Sequence, residues 1–328
     1  MKNIFTNSQK IKVLYITTEW EEAPFIKQQV EKLNESGIST HIFKLKAGGN
    51  PVNYLTDRIR IRKKIKEEKF NIIHAHYGQS GFISKFKNIP LVTTFHGSDS
   101  IGLIGEGGKY TFKGKLLKFM SKITSHISQK NIFVSNEAKN SLGVSKNFEV
   151  IPCGIDTSVF KPLDKDECRE ILGLVNKRYV LFCGNPDVKV KNYDLALKSF
   201  KKLEINSDFS VEMLPLRGYK HNEVPILLNA IDVLLMTSHH EGSPMIIEEA
   251  LACNTPIVSL DVGDVKERLM NIEGCYVIKN KLKNDIASAL LSALKNNVEI
   301  NSRAHVLNLD LVHINQQILN LYESILRG

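Results

Sequence analysis

Short apolar runs rich in β-branched residues alternate with helix-period segments along almost all of this 328-residue chain. Residues 11–17 (IKVLYIT) carry no polar alternation, so they predict a strand covered on both faces. Pro24 suits the first turn of a helix over 24–36, which Gly37 ends. Strands follow at 40–46, 72–75, 91–95 and 131–135, with helices at 54–69, 81–86 and 113–125. Strands joined by crossover helices form parallel sheets covered on both faces. The pattern pauses at 150–162 (VIPCGIDTSVFKP), where two prolines and a glycine mark a boundary. A second alternation places strands at 179–183, 211–214, 233–237 and 256–259, and helices at 192–203, 223–229 and 244–252. The tail from Lys283 is helical, ending in 311–326. The expected fold class is α/β: two doubly wound Rossmann-like domains, 1–155 and 156–310, with a helix at 311–328 able to cross back to the first. Such sheets bind ligands at the carboxyl ends of their strands, so the two domains are expected to face a central cleft.

With 42% hydrophobic and 24% charged residues, the chain can build a core, which excludes global disorder. No apolar run reaches the length of a membrane span, and the N-terminal residues lack a signal-peptide pattern. Cytoplasmic residence is therefore expected. None of the five cysteines forms a CxxC pair, and buried thiols are the plain reading. A net charge of +9 admits nucleic acid, anionic lipid or a phosphorylated substrate as partner. No recognition helix, zinc knuckle or aromatic RNP-like strand supports nucleic acid.

Chemistry concentrates in 237–265, TSHHEGSPMIIEEALACNTPIVSLDVGDV. Pro244 is expected at the first helical position with Ser243 as the N-cap. The unpaired N–H groups of that helix start suit a diphosphate, and Gly242 lets the backbone approach it. Glu249 lies about five residues into the helix, where a carboxylate can accept from a ribose diol; Glu241 in the preceding loop would face a sugar. The competing reading makes Glu248 and Glu249 a solvated helix face. The triplet Asp164-Lys165-Asp166 sits at a helix start and reads as a cap rather than a metal site. His74 and His76 share one strand face, without a convincing third metal ligand, and read as structural.

The segment 241–267, EGSPMIIEEALACNTPIVSLDVGDVKE, resembles the signature of the retaining GT-B glycosyltransferases of family 4, and most closely the bacterial branch that builds teichuronic acid and capsular polysaccharides. Further similar stretches lie at 25–38, 72–81, 91–100, 132–142, 150–162 and 181–200. The resemblance implies that Glu249 grips the nucleotide ribose and Glu241 contacts the donor sugar. It gives the backbone of Gly242, Ser243, Pro244 and Met245 to phosphate or sugar, and Lys191 to the diphosphate. The Arg usual after the strand glycine, here Gly184, is replaced by Asn185; Lys189 is the nearest stand-in. In FHGSD (95–99) it places His96 near the transferred sugar and Gly97, Ser98 and Asp99 on the acceptor side. Glu241 and His96 are the implied catalytic pair. The donor is a nucleotide-sugar, a UDP-sugar favoured, with no further cofactor and no metal. The acceptor is lipid-linked or a glycan. The alternatives are a non-catalytic nucleotide-sugar-binding subunit, which the change at Asn185 keeps open, and an epimerase of the same architecture.

Between Ile101 and Lys130, lysines 109, 113, 115, 118, 122 and 130 face one acid, Glu106, and interleave with Phe112, Leu116, Leu117, Phe119 and Met120. This is a basic amphipathic helix suited to an anionic membrane surface, and the basic stretch 58–66 adds to it. Peripheral attachment to the inner face of the plasma membrane is expected. The plainer reading has the apolar side packed on the domain.

Overall fold

The computed structural model describes residues 10–18, 23–46, 51–103, 110–295 and 300–327; Glu106 and Lys109 lie outside them. The chain forms two compact units. The first contains the chain up to Leu103, Tyr110–Gly154 and the end from Leu311; the second contains Ile155–Asp310.

Unit 1 holds β1 (Lys12–Thr17), α1 (Pro24–Glu35), β2 (Ser39–Lys44), α2 (Pro51–Glu67), β3 (Ile72–His76), α3 (Gly78–Ile83), β4 (Leu91–Phe95), α4 (Phe112–Ile127), β5 (Lys130–Phe133), α5 (Asn136–Leu142) and β6 (Phe148–Val150). Its six strands are parallel in the order β2-β1-β3-β4-β5-β6, so the topology reverses between β1 and β3. The register pairs His76 with Thr94, which leaves His96 just beyond the end of β4. Leu14, Ile16, Ile73 and Ala75 bury one face of the sheet.

Unit 2 continues with α6 (Lys165–Leu172), β7 (Arg178–Phe182), α7 (Tyr193–Asn206), β8 (Val211–Pro215), α8 (Val224–Ala230), β9 (Val233–Met236), α9 (Met245–Ala252), β10 (Ile257–Leu260), α10 (Val265–Leu269), β11 (Tyr276–Ile278) and α11 (Lys283–Lys295). Its parallel strands run β11-β10-β9-β7-β8. Asp164 caps α6 through Asp166 N and Glu167 N, which accounts for the Asp-Lys-Asp triplet. The last helix, α12 (Leu311–Arg327), groups with unit 1, where the Tyr322 hydroxyl meets Tyr15 Oη at 2.9 Å and His74 Nδ1 at 2.5 Å.

Two features depart from expectation. The helix expected at 81–86 begins three residues earlier, because Tyr77 turns the chain directly after β3 with φ +72° and Asp99 Oδ2 accepts from Gly78 N at 2.7 Å. That places Gly78 and Gly81 against α4. A Cβ on Gly78 would fall 2.0 Å from Ser121 Oγ, and one on Gly81 2.5 Å from Thr124 Cγ2.

The second, in α4, departs only from the plainer reading that packs its apolar side on the domain. The face of α4 turned to the protein carries the small residues Gly114, Ser121, Thr124 and Ser125. Phe112, Leu116 and Phe119 are left 85%, 50% and 61% exposed. Leu117 and Met120 are half-buried, so the apolar side of α4 packs on the domain only in part.

Candidate functional site

In unit 2 the site is assembled at the carboxyl ends of β7 and β9. Gly184, two residues past the end of β7, adopts φ +143°, and a Cβ there would lie 2.9 Å from Lys191 Cγ. Glycine therefore lets the Lys191 side chain pass over the end of the strand. Asn185 Oδ1 accepts from Asp187 N at 3.0 Å, so this side chain closes its own turn. Lys189 is exposed at the start of a single 3₁₀ turn that ends at Lys191. Thr237 Oγ1 donates to the carbonyls of Lys191 and Asn192, both at 3.1 Å, tying this turn to the end of β9.

Lys191 Nζ donates to Glu241 Oε1 at 2.7 Å, so two expected site residues meet. Burial pulls the Lys191 ammonium down, yet Cys183 and Glu241 together hold it above its ordinary value. Thus the pair is a cation and an acceptor joined beside the entrance to α9.

The cap of α9 differs from the sequence reading. Pro244 occupies the N-cap with no side-chain cap bond, and Met245 is the first helical residue. Ser243 Oγ instead donates to Asp264 Oδ2 at 2.8 Å. A hydroxyl engaged as donor to a buried carboxylate is turned away from the helix N–H groups. The turn is also held by close backbone approach: Gly263 has φ +58°, and a Cβ there would lie 2.5 Å from Gly242 O. Arg268 completes the support, with Nε 3.1 Å from Asp264 Oδ2 and a terminal nitrogen 3.1 Å from Glu248 Oε1. Burial pushes the Glu248 carboxyl up to about 8, against the pull of Arg268. Asp264 and Arg268 were not among the expected site residues; the only sequence signal was their place in the loop after β10.

Glu249 is 6% exposed, so the solvated-face reading fails for it and for Glu248 at 2%. Among the described residues no hydrogen bond or ion pair engages the Glu249 carboxylate, whose oxygens keep slight contact with solvent, and burial pushes it up to about 7. A buried carboxylate without a partner is costly, which points to a ligand that donates hydrogen bonds.

In unit 1, Gly97 turns the chain with φ +101° and Ser98 is exposed at the tip. Asp99, 1% exposed, spends its oxygens on the backbone: Oδ1 accepts from His96 N at 2.9 Å and Oδ2 from Gly78 N. Burial lifts it to about 6 against those bonds. Asp99 thus fixes the loop that carries His96. The His96 ring stacks on His76 at 5.2 Å and meets Tyr77 at 4.7 Å and Phe25 at 5.1 Å. Burial holds the His96 imidazole down at about 3. Among the described residues, no group of three or more His, Cys, Asp or Glu is placed to hold a metal ion.

Comparison with known proteins gives the family and the fold. Residues 7–159 match the model of Glycosyltransferase Family 4, and residues 211–307 that of Glycosyl transferases group 1. The chain belongs to these GT-B glycosyltransferases. A relative in Bacillus subtilis strain 168, TuaC, a glycosyltransferase assigned to teichuronic acid biosynthesis, is 28% identical over 67% of this chain; the match spans 60% of TuaC. Among solved structures, sucrose-phosphate synthase from Thermosynechococcus elongatus superposes with TM-score 0.80 at 15% identity, over 97% of this chain and all of that one. Anabaena HepE in complex with UDP and glucose gives 0.74 at 16% identity, over 96% of this chain and all of HepE. At these identities the structures speak for the fold.

Proposed function

We propose that the chain is a retaining glycosyltransferase. It would move a sugar from a nucleotide-sugar to a lipid-linked or polysaccharide acceptor in bacterial cell-surface polysaccharide synthesis. The observation that carries this reading is Glu249, a buried carboxylate without a protein partner in the second turn of α9. In a chain of this family it suits a ribose diol, with the diphosphate at the start of α9. HepE, in complex with UDP and UDP-glucose, supports a UDP-sugar as the donor.

The chemistry follows from the two half-sites. The C1–O bond to the diphosphate breaks, and a C1–O bond to the acceptor hydroxyl forms on the same face. The acceptor proton passes to a departing phosphate oxygen, so no protein nucleophile is needed. The N–H groups at the start of α9 and the Lys191 ammonium stabilise the charge that develops on the leaving diphosphate. Glu241, held by Lys191, orients the sugar; His96 is the residue of unit 1 that the family resemblance assigns to it. The test supplies UDP-, GDP-, ADP- and dTDP-sugars with a glycan acceptor, with and without EDTA, and reads the product's anomeric configuration. The reading expects transfer with retention from one nucleotide class, unaffected by EDTA. Inversion would refute the mechanism. Tight nucleotide-sugar binding without turnover would favour the non-catalytic subunit, because Asn185 offers no fork to the phosphates.

The same proposal places the protein on an anionic membrane. No helix among the described residues is long and apolar enough to cross one. Instead α4 exposes Phe112, Leu116 and Phe119 among Lys113, Lys115, Lys118 and Lys122. Helix α2 exposes Val52, Leu55 and Ile59, followed by the exposed Arg62, Lys63 and Lys66. Outward aromatic residues with flanking lysines fit the headgroup boundary of a bilayer. Vesicles containing anionic lipid should bind the protein at low salt and release it at high salt. Phe112→Ser with Phe119→Ser should weaken binding at least about tenfold. Equal partitioning to neutral and anionic vesicles would refute this attachment.

A further inference from the structure

His96 does not stand alone in unit 1: His76 and His96 share one hydrogen bond, Nδ1 to Nε2, at 2.9 Å. Both imidazoles are kept neutral by burial. A neutral imidazole carries one N–H, so one ring donates in this bond and the other accepts. If His96 donated, the single hydrogen of His76 would sit on Nε2. That atom is buried and has no partner among the described residues, in a side chain that is 0% exposed. A buried N–H without an acceptor is the rarer and costlier fault; a bare lone pair is better tolerated. His76 therefore donates from Nδ1, and His96 accepts at Nε2.

We infer that His76 is a positioning residue which fixes the tautomer of His96, so that His96 presents Nδ1–H to an oxygen of the bound sugar. The proposal rests on the glycosyltransferase reading for the identity of that oxygen. The hydrogen-bonding neighbour of His96 Nδ1 is Cys153 Sγ at 3.9 Å, too long to hold the proton firmly. The ring is prevented from turning over by its neighbours. His76 lies nearly parallel to it, 17° between planes, and Tyr77 and Phe25 close its other sides. Tyr77 does so from φ +72°, a conformation a bulky aromatic residue rarely adopts. On the far side of His76, His74 stacks at 4.7 Å and is itself pinned by the Tyr322 hydroxyl and by Thr94 Oγ1 at 2.7 Å. The strained tyrosine and the donor histidine thus act on one ring: one sets its plane, the other its proton.

The test is a long-range proton–nitrogen correlation spectrum of ¹⁵N-histidine-labelled protein near neutral pH. His96 is expected with the hydrogen on Nδ1 and a bare Nε2. In His76→Leu the Nε2–H form should appear. In His76→Asn the side-chain amide can stand where Nδ1–H stood, and the wild-type pattern should return. Turnover should follow the spectrum: kcat at least about tenfold lower in His76→Leu with KM for the nucleotide-sugar within about twofold, and recovery in His76→Asn. Finding Nε2–H or imidazolium on His96 in the wild type overturns the proposal, as does a His96 pattern unchanged in His76→Leu. If His76→Leu does not fold, the wild-type spectrum alone decides. Because the spectrum needs no turnover, an inactive wild type with His96 protonated on Nδ1 counts against glycosyl transfer, not against the role of His76.

Discussion

Replacing Glu249 with Gln is expected to stabilise the ligand-free protein while weakening nucleotide-sugar binding about a hundredfold. Both effects come from one buried carboxylate. Burial lifts its folded-state value to about 7, above the unfolded value of 4.5. Between those values the native state holds more protons than the unfolded state, so the stability of the ligand-free protein falls as pH rises through that window. The loss is complete above about pH 7, and Gln removes it. Glu249→Gln should therefore raise stability at pH 8 by up to about 3 kcal/mol and flatten the pH dependence from 5 to 8. Binding has the opposite sign. Two hydrogen bonds from a ribose diol to an ionised carboxylate are worth about 3 kcal/mol together. Losing them costs about a hundredfold in affinity. Wild-type affinity should also rise with pH to about 7 and level off above it. Urea denaturation and nucleotide titration across that range check both arms. A destabilised Glu249→Gln, or one that binds as wild type does, would show that Glu249 serves the fold.

Arg268→Met should cost about 3–5 kcal/mol, the price of leaving buried carboxylates uncompensated. Asp264 is 5% exposed and Glu248 2%, and Arg268 is the cation both meet. Removing it also takes away the influence that holds Glu248 down, so Glu248 moves further above 8. The site suffers with the fold, because among the described residues Asp264 would keep Ser243 as its only side-chain partner and the Gly242–Ser243 turn would loosen. Asp264→Asn in the Arg268→Met background should recover more than half of the lost stability, since it removes the stranded charge and keeps an acceptor for Ser243. Strict additivity of the two substitutions in urea unfolding would mean the groups do not act as a unit.

The strands and long helices were legible because their patterns are carried by many residues: β9 is apolar throughout, and β1 and β3 are buried at every position but Lys12. Helix α5, strand β6, helix α10 and strand β11 were not, since three to seven residues are too few to show a period. Glu241, Gly242 and Glu249 were readable because one strand–loop–helix unit holds them. Ser243 misled for a reason outside that unit: Asp264, 21 residues on, competes for its hydroxyl. The pairing of His76 with His96 depends on the β3–β4 register, which no local pattern states. For α4, periodicity showed two faces but not which one turns inward. The spacing of Gly114, Ser121, Thr124 and Ser125 was the available sign, as small residues allow the close approach of Gly78 and Gly81.

The most direct test of the central claim is a crystal structure with UDP bound. The account predicts the ribose hydroxyls on the Glu249 carboxylate and the diphosphate between the start of α9 and Lys191 Nζ. A nucleotide bound elsewhere, or at this site with its ribose away from Glu249, would contradict it.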